Sequence, residues 1–289
     1  MAAAEEKQDN NDQIKLRNKK GTATAIIHRY GATVLSFQVD EEEQLFVSSK
    51  AKFDRSKAIR GGIPLVYPQF GPGAMPQHGF ARVTDWTLHK KDDDVAILTL
   101  KSDDLADEWK QRWKYSFALQ YTVRVTDANT LCTELSVSNA EKESAFEFTV
   151  LLHTYFRVNA AEIKVFGLKG LQFSDKLEAD KDAQIKKEEN EAVGIASEVD
   201  RVYMNIGEQD IVLVDASKAK YPKMTIQRQN FSDVVLWNPW IAKAAQMGDF
   251  DDAEYKNMVC IEPGNVAKPV TLKAGETNVF KQTLIPSKM

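Results

Sequence analysis

The chain has 289 residues, 43% of them hydrophobic, and its 38 basic and 42 acidic side chains leave a formal charge of −4. That length allows a large core. The charge balance offers no clustered basic face for nucleic acid, and no apolar run approaches the length of a membrane span. Cys132 and Cys260 stand far apart without CxxC spacing, which suits reduced thiols in a cytoplasmic protein.

Residues 1–12 are acidic and amide-rich. They lack the apolar stretch of a signal peptide and read as a tail without fixed structure. Residues 13–289 show no linker and no internal repeat, so they are expected to form one domain. Thr22 to Tyr30 and Thr33 to Val39 read as strands joined at Gly31, and Leu45 to Ser48 as a third. Ile59 to Trp86 carries Gly61, Gly62, Gly71, Gly73 and Gly79 together with Pro64, Pro68, Pro72 and Pro76. Such a stretch cannot be a regular helix or a central strand. Its own apolar residues, among them Ile63, Val66, Phe70 and Phe80, point to an ordered functional loop.

Strand patterns resume at Phe80 to His89 and at Val95 to Lys101, and Leu105 to Trp109 reads as a helical turn or two. Strict alternation from Tyr115 to Thr126 predicts a half-buried strand, paired through Asp127-Ala128-Asn129 with Leu131 to Asn139. Ala145 to Val158 reads as one long strand with His153 near its end, on the side away from Phe146, Phe148, Val150 and Leu152. Glu162 to Gly167 and Leu171 to Asp175 are short strands. Lys176 to Gly194 reads as a charged surface excursion, with Lys186-Lys187-Glu188-Glu189 solvated. Strands follow at Arg201 to Ile206, Ile211 to Asp215, Met224 to Gln229 and Val234 to Trp237, then a short helix from Ile241 to Met247. Met258 to Glu262, Val270 to Leu272 and Thr277 to Ile285 close the series. The fold class is all-β, a sandwich or barrel of mostly antiparallel strands.

Several polar residues could carry chemistry. His153 has an ordinary pKa suited to proton transfer near neutrality, although a strand histidine is as readily structural. Glu262 lies between Ile261 and Pro263-Gly264. Burial would make it a stronger base, while the bland alternative is a carboxylate capping the next turn. Arg60 and Arg82 can bind an anion through the planar guanidinium fork, or pair with local carboxylates such as Asp54 and Asp85. His78, beside Gln77, could relay a proton, ligate a hydroxyl or merely steady its loop. Trp237 and Trp240 bracket Asn238-Pro239 and suit either sugar stacking or the core. His28 and His89 read as structural. No metal is expected, because the four histidines lack ligand spacing.

Several motifs together resemble the glucose-6-phosphate 1-epimerases of the aldose 1-epimerase superfamily. They are Tyr30-Gly31-Ala32, Ile59-Arg60-Gly61-Gly62-Ile63-Pro64, Pro68-Gln69-Phe70-Gly71-Pro72, Gln77-His78-Gly79-Phe80-Ala81-Arg82, Leu152-His153-Thr154-Tyr155-Phe156, Val235-Leu236-Trp237-Asn238-Pro239 and Cys260-Ile261-Glu262-Pro263-Gly264. The resemblance implies a galactose-mutarotase-like β-supersandwich that interconverts the anomers of glucose 6-phosphate without a cofactor. It implies His153 as general acid and Glu262 as general base, flanking opposite sides of one pyranose. Arg60, Gln77 and Arg82 would bind substrate, with the arginines on the phosphate. Asp200, in Glu198-Val199-Asp200-Arg201, would bind a hydroxyl, and His78 and Trp237 would line the wall. The partner implied is a hexose 6-phosphate, and the protein is expected to be a cytoplasmic monomer with no nucleic-acid or membrane partner. The alternatives are an enzyme for free aldoses and a non-catalytic sugar-phosphate-binding protein on the same fold.

Overall fold

The protein is described by a computed structural model covering residues 12–288, so most of the expected tail, residues 1–11, lies outside the described residues. Asp12 does not belong to that tail. Its carbonyl accepts the Arg29 N–H at 2.9 Å and its carboxylate meets Arg55 at 2.8 Å.

Every strand pairing among the described residues is antiparallel, and the strands form three sheets. The period-2 segments produce the longest ladders. Phe117–Val125 pairs with Leu131–Asn139 from Phe117↔Asn139 to Val125↔Leu131, and both strands bury every second residue. They belong to a nine-stranded sheet. A smaller sheet begins with Gln13–Arg17, which the sequence reading passed over. There Ile14 and Leu16 are buried between exposed residues, an alternation too short to stand out.

The sheet that matters for function has the order Ile185–Lys187, Gln172–Asp175, Val199–Tyr203, Asp233–Asn238, Met258–Leu272, Phe146–Leu152, Leu65–Val66, with Tyr155–Arg157 also paired to Met258–Leu272. Its two faces go to different places. Val150, Leu152, Val234, Leu236, Val259 and Ile261 enter the main core with residues of the nine-stranded sheet. Their neighbours Leu151 and Val235 pack in a separate cluster on the opposite face, and Tyr155 and Cys260 in another. Alternation therefore aims Cys260 and Glu262 away from the main core.

Some expected elements are redrawn. Leu45 to Ser48 makes only isolated bridges, at Leu45 and Val47. Phe80 to Trp86 is a 3₁₀ turn at Ala81–Val83, not a strand, and the strand begins at Thr87. The long strand from Ala145 breaks at His153-Thr154, where the Thr154 N–H turns back to the Leu152 carbonyl at 2.8 Å. Lys176 to Gly194 contains two short strands, and Glu188 is buried rather than solvated. Pro263-Gly264 forms no turn, because Met258–Leu272 runs straight through it. Glycine is required there by proximity, since a Cβ at Gly264 would sit 2.8 Å from the Leu151 Cβ.

Candidate active site

Glu262 lies on a central strand, between Asp233–Asn238 on one side and Phe146–Leu152 on the other. It is 1% exposed, and its Oε2 has no hydrogen-bond partner. The capping alternative is thereby removed, since no turn follows for the carboxylate to cap. Burial, then the charge of Asp200, pushes its carboxyl well above the usual range, against the pull of Arg82.

His153 sits where the strand is interrupted, held by its N–H to the Pro64 carbonyl at 3.0 Å. Buried Thr154 turns inward and bonds Gln282, which leaves His153 and Tyr155 on the same face. Their rings stack at 4.6 Å and 10°. The His153 Nδ1 is 3.2 Å from the Glu262 Oε2, in contact but without a hydrogen bond. The two groups lie side by side, not on opposite sides of a ring-sized space. Burial, then His78, Arg82 and Arg60, pulls the His153 pKa well below its ordinary value. An unsatisfied pair of this kind is costly to leave buried, and such sites cluster where chemistry occurs.

The glycine-proline loop supplies the cations. Gly62 has φ +68°, and a Cβ there would meet the Val34 carbonyl at 2.1 Å, so only glycine lets the chain lie this close to its neighbour. Arg60, just before it, donates to Asp249 at 3.2 and 3.3 Å and to the Tyr155 hydroxyl at 3.2 Å. Burial works against the Arg60 charge, but Tyr155 and Asp249 outweigh it and hold the pKa above the ordinary value. Neither Arg60 nor Arg82 pairs with Asp54 or Asp85; Arg55 takes Asp85 instead. Arg82 donates to the Gln77 carbonyl at 2.7 Å, and its buried Nε has no partner. Burial, then Arg60, draws its pKa down to about 10, so it remains a cation near neutrality.

His78 has φ +70° and accepts the Gly71 N–H on Nδ1 at 3.1 Å. Its ring meets His153 edge-on at 5.7 Å. Burial, then Arg82 and Arg60, lowers its pKa to about 3, so it is neutral near pH 7. The exposed Gln77 places its Nε2 3.4 Å from the His78 Nε2. Trp237 meets His153 edge-on at 6.0 Å and Tyr155 at 6.1 Å. Asp200 lies opposite Trp237 in the ladder, and burial raises its pKa. All eight candidate residues thus gather on or beside one face of one sheet. Trp240 does not join them and packs on Tyr255.

Two neighbours escaped the sequence reading. Tyr155 could have been found, because it lies two residues after His153 on a strand. Asp249 carried no signal, since its contact with Arg60 spans 189 positions. Ligand spacing likewise missed that His153, Cys260 and Glu262 bring an N, an S and an O donor within 4.8 Å of one another. Such donors suit zinc. Burial, then Glu262, pushes the Cys260 thiol up, against the pull of Arg60.

A family model described as aldose 1-epimerase matches residues 12–284. A Cenchrus ciliaris protein provisionally named glucose-6-phosphate 1-epimerase is 38% identical over 278 residues, covering 92% of this chain and 82% of its own. An Escherichia coli protein with the same provisional name is 36% identical, covering 80% and 76%. A solved Salmonella typhimurium structure, provisionally described as a mutarotase, superposes with a TM-score of 0.83 at 30% identity, over 98% of this chain and 93% of that one. The all-β fold is therefore the galactose-mutarotase-like one.

Proposed function

The chain belongs to the aldose 1-epimerase family and is an isomerase of sugar anomers; on that premise we propose that its substrate is a hexose 6-phosphate, glucose 6-phosphate first, with His153 and Glu262 as the catalytic pair. The observation that carries this reading is their 3.2 Å separation, buried beside two guanidiniums.

Ring opening needs one proton removed from the C1 hydroxyl and one delivered to the ring oxygen. Both oxygens are bonded to the same carbon, so a base and an acid in mutual contact can reach both. Glu262 as carboxylate takes the hydroxyl proton, and the O–H electron pair becomes the second bond of the aldehyde. The C1–O5 pair moves to O5, which takes the proton of the His153 imidazolium. The pair carries one proton before and one after. Burial favours the product distribution, Glu262 protonated and His153 neutral, at both groups, so the reactive distribution is the less stable one and is reached with the substrate in place. Rotation about C1–C2 and the reverse transfers close the other anomer.

The two guanidiniums suit a phosphate, since Arg82 remains a cation near neutrality and the Arg60 side chain is 24% exposed, with Gln77 at the rim and His78, Asp200 and Trp237 along the sugar. Among the described residues no helix is long and apolar enough to cross a membrane. The reading includes a monomeric state and a cytoplasmic location, the latter supported by the free thiols of Cys132 and Cys260.

The test is a coupled assay with a dehydrogenase that accepts only β-glucose 6-phosphate. The protein should accelerate consumption of the α anomer above its spontaneous rate. A rate no faster than the spontaneous one would reject this substrate.

A further inference from the structure

Arg60 meets a single carboxylate, that of Asp249. Its Nε and Nη2 face Asp249, at 3.3 Å from Nε and 3.2 and 3.3 Å from Nη2, while Nη1 reaches Tyr155. The outer Nη1–Nη2 edge of the fork keeps donors for a second anion, since guanidinium carries five N–H groups in one plane. Asp249 is 4% exposed and follows the short helix Trp240–Ala245. Its neighbour Phe250 is fully buried and packs on Phe46 at 5.8 Å. The Arg60 segment is tied to the same support, because the Gly62 N–H donates to the Phe46 carbonyl at 2.7 Å. One aromatic anchor thus fixes both the carboxylate and the guanidinium that it holds. Asp249 also acts favourably on Arg82, which Arg60 repels, so it lets two like charges share a cleft.

We propose that Asp249 is a positioning residue for phosphate selectivity: it clamps the inner side of Arg60 and aims the outer edge at the phosphate of the substrate. This rests on the phosphate role given above to Arg60. Asp249 bonds Arg60 and neither His153 nor Glu262, so its contribution is expected in binding of the charged tail.

The experiment measures kcat and KM for glucose 6-phosphate and for free glucose with wild type, R60A, D249A, D249N and D249E. D249A should lose about ten times more kcat/KM on the phosphorylated sugar than on the free one, chiefly through KM, since a small misplacement of a positioning group is enough for such a loss. D249N, which keeps an acceptor and is the less disruptive change, should lose part of the preference, and D249E should recover some of it. Equal losses on both sugars would assign Asp249 to packing alone and overturn the proposal. So would an unchanged preference in both D249A and D249N while R60A loses it. If R60A itself keeps the preference, the phosphate role of Arg60 falls, and this inference with it.

Discussion

The protein buries two glutamates at nearly the same depth and treats them in opposite ways. Glu188 is 2% exposed and Glu262 is 1% exposed. Glu188 accepts from the Tyr203 hydroxyl at 2.9 Å, from Arg201 at 3.2 Å and from Asn190 through both N–H and side chain. Arg201 in turn lies over the Phe173 ring at 4.7 Å. Glu262 has an Oε2 with no hydrogen-bond partner, an imidazole in contact and a displaced pKa. Depth alone therefore says little about a carboxylate. What separates scaffold from chemistry is whether its lone pairs are already used.

The contrast is sharpest in activity. E262Q should lower kcat/KM by about 10²–10⁴-fold, the range of one positioned proton-transfer group. H153N should fall in the same range, because neither group can work without the other. Both variants should keep their thermal midpoints or gain slightly, since each removes a titratable group whose charged form burial disfavours. E188Q should reverse the pattern, with activity close to wild type and a lower midpoint. An E188Q enzyme as inactive as E262Q would erase the distinction between the two corners.

Next in size is the effect on selectivity. R82A should lose far more on glucose 6-phosphate than on free glucose, by about 10- to 100-fold, the scale of a lost charge-assisted pair. Arg82 is the sharper probe of the two, because it bonds a backbone carbonyl whereas Arg60 is already shared with Asp249 and Tyr155. Equal loss on both sugars would mean that Arg82 serves the scaffold, and its phosphate role would fail.

Much of this contrast was legible beforehand and part of it was not. Alternation around Glu262 and His153 gave their faces correctly, because period 2 is local. The motif resemblance paired them as acid and base, which spacing left open. The Lys186-Lys187-Glu188-Glu189 run misled, because composition describes a solvated stretch unless a remote Tyr203 and Arg201 are known to sit beneath it. Pro263-Gly264 misled in the other direction. The pair reads as a turn locally, yet Gly264 is there because Leu151 lies against it. Asp249 could not be read at all, since its meaning depends on a fold that closes over 189 residues. Failures of this type are about tertiary partners, not local propensity.

The smallest effect is the dependence of stability on pH, and it tests the premise directly. The folded pKa of Glu262 is raised above the ordinary carboxyl value of 4.5. A raised folded pKa means that the folded state holds the proton more tightly than the unfolded chain. The contribution is therefore fully present below pH 4.5 and is lost as pH rises through the folded pKa. His153 is the mirror case, because its folded pKa is depressed below 6.5. Its contribution is present above pH 6.5 and is lost as pH falls through the folded value. Thermal midpoints of wild type and E262Q should thus diverge in favour of E262Q as pH rises from 4.5, by about 2–4 °C for each kcal/mol involved. H153N should gain on wild type as pH falls below 6.5. Midpoint differences that stay flat over both windows would mean that neither group titrates abnormally, and the distinction between Glu262 and Glu188 would then rest on hydrogen bonds alone.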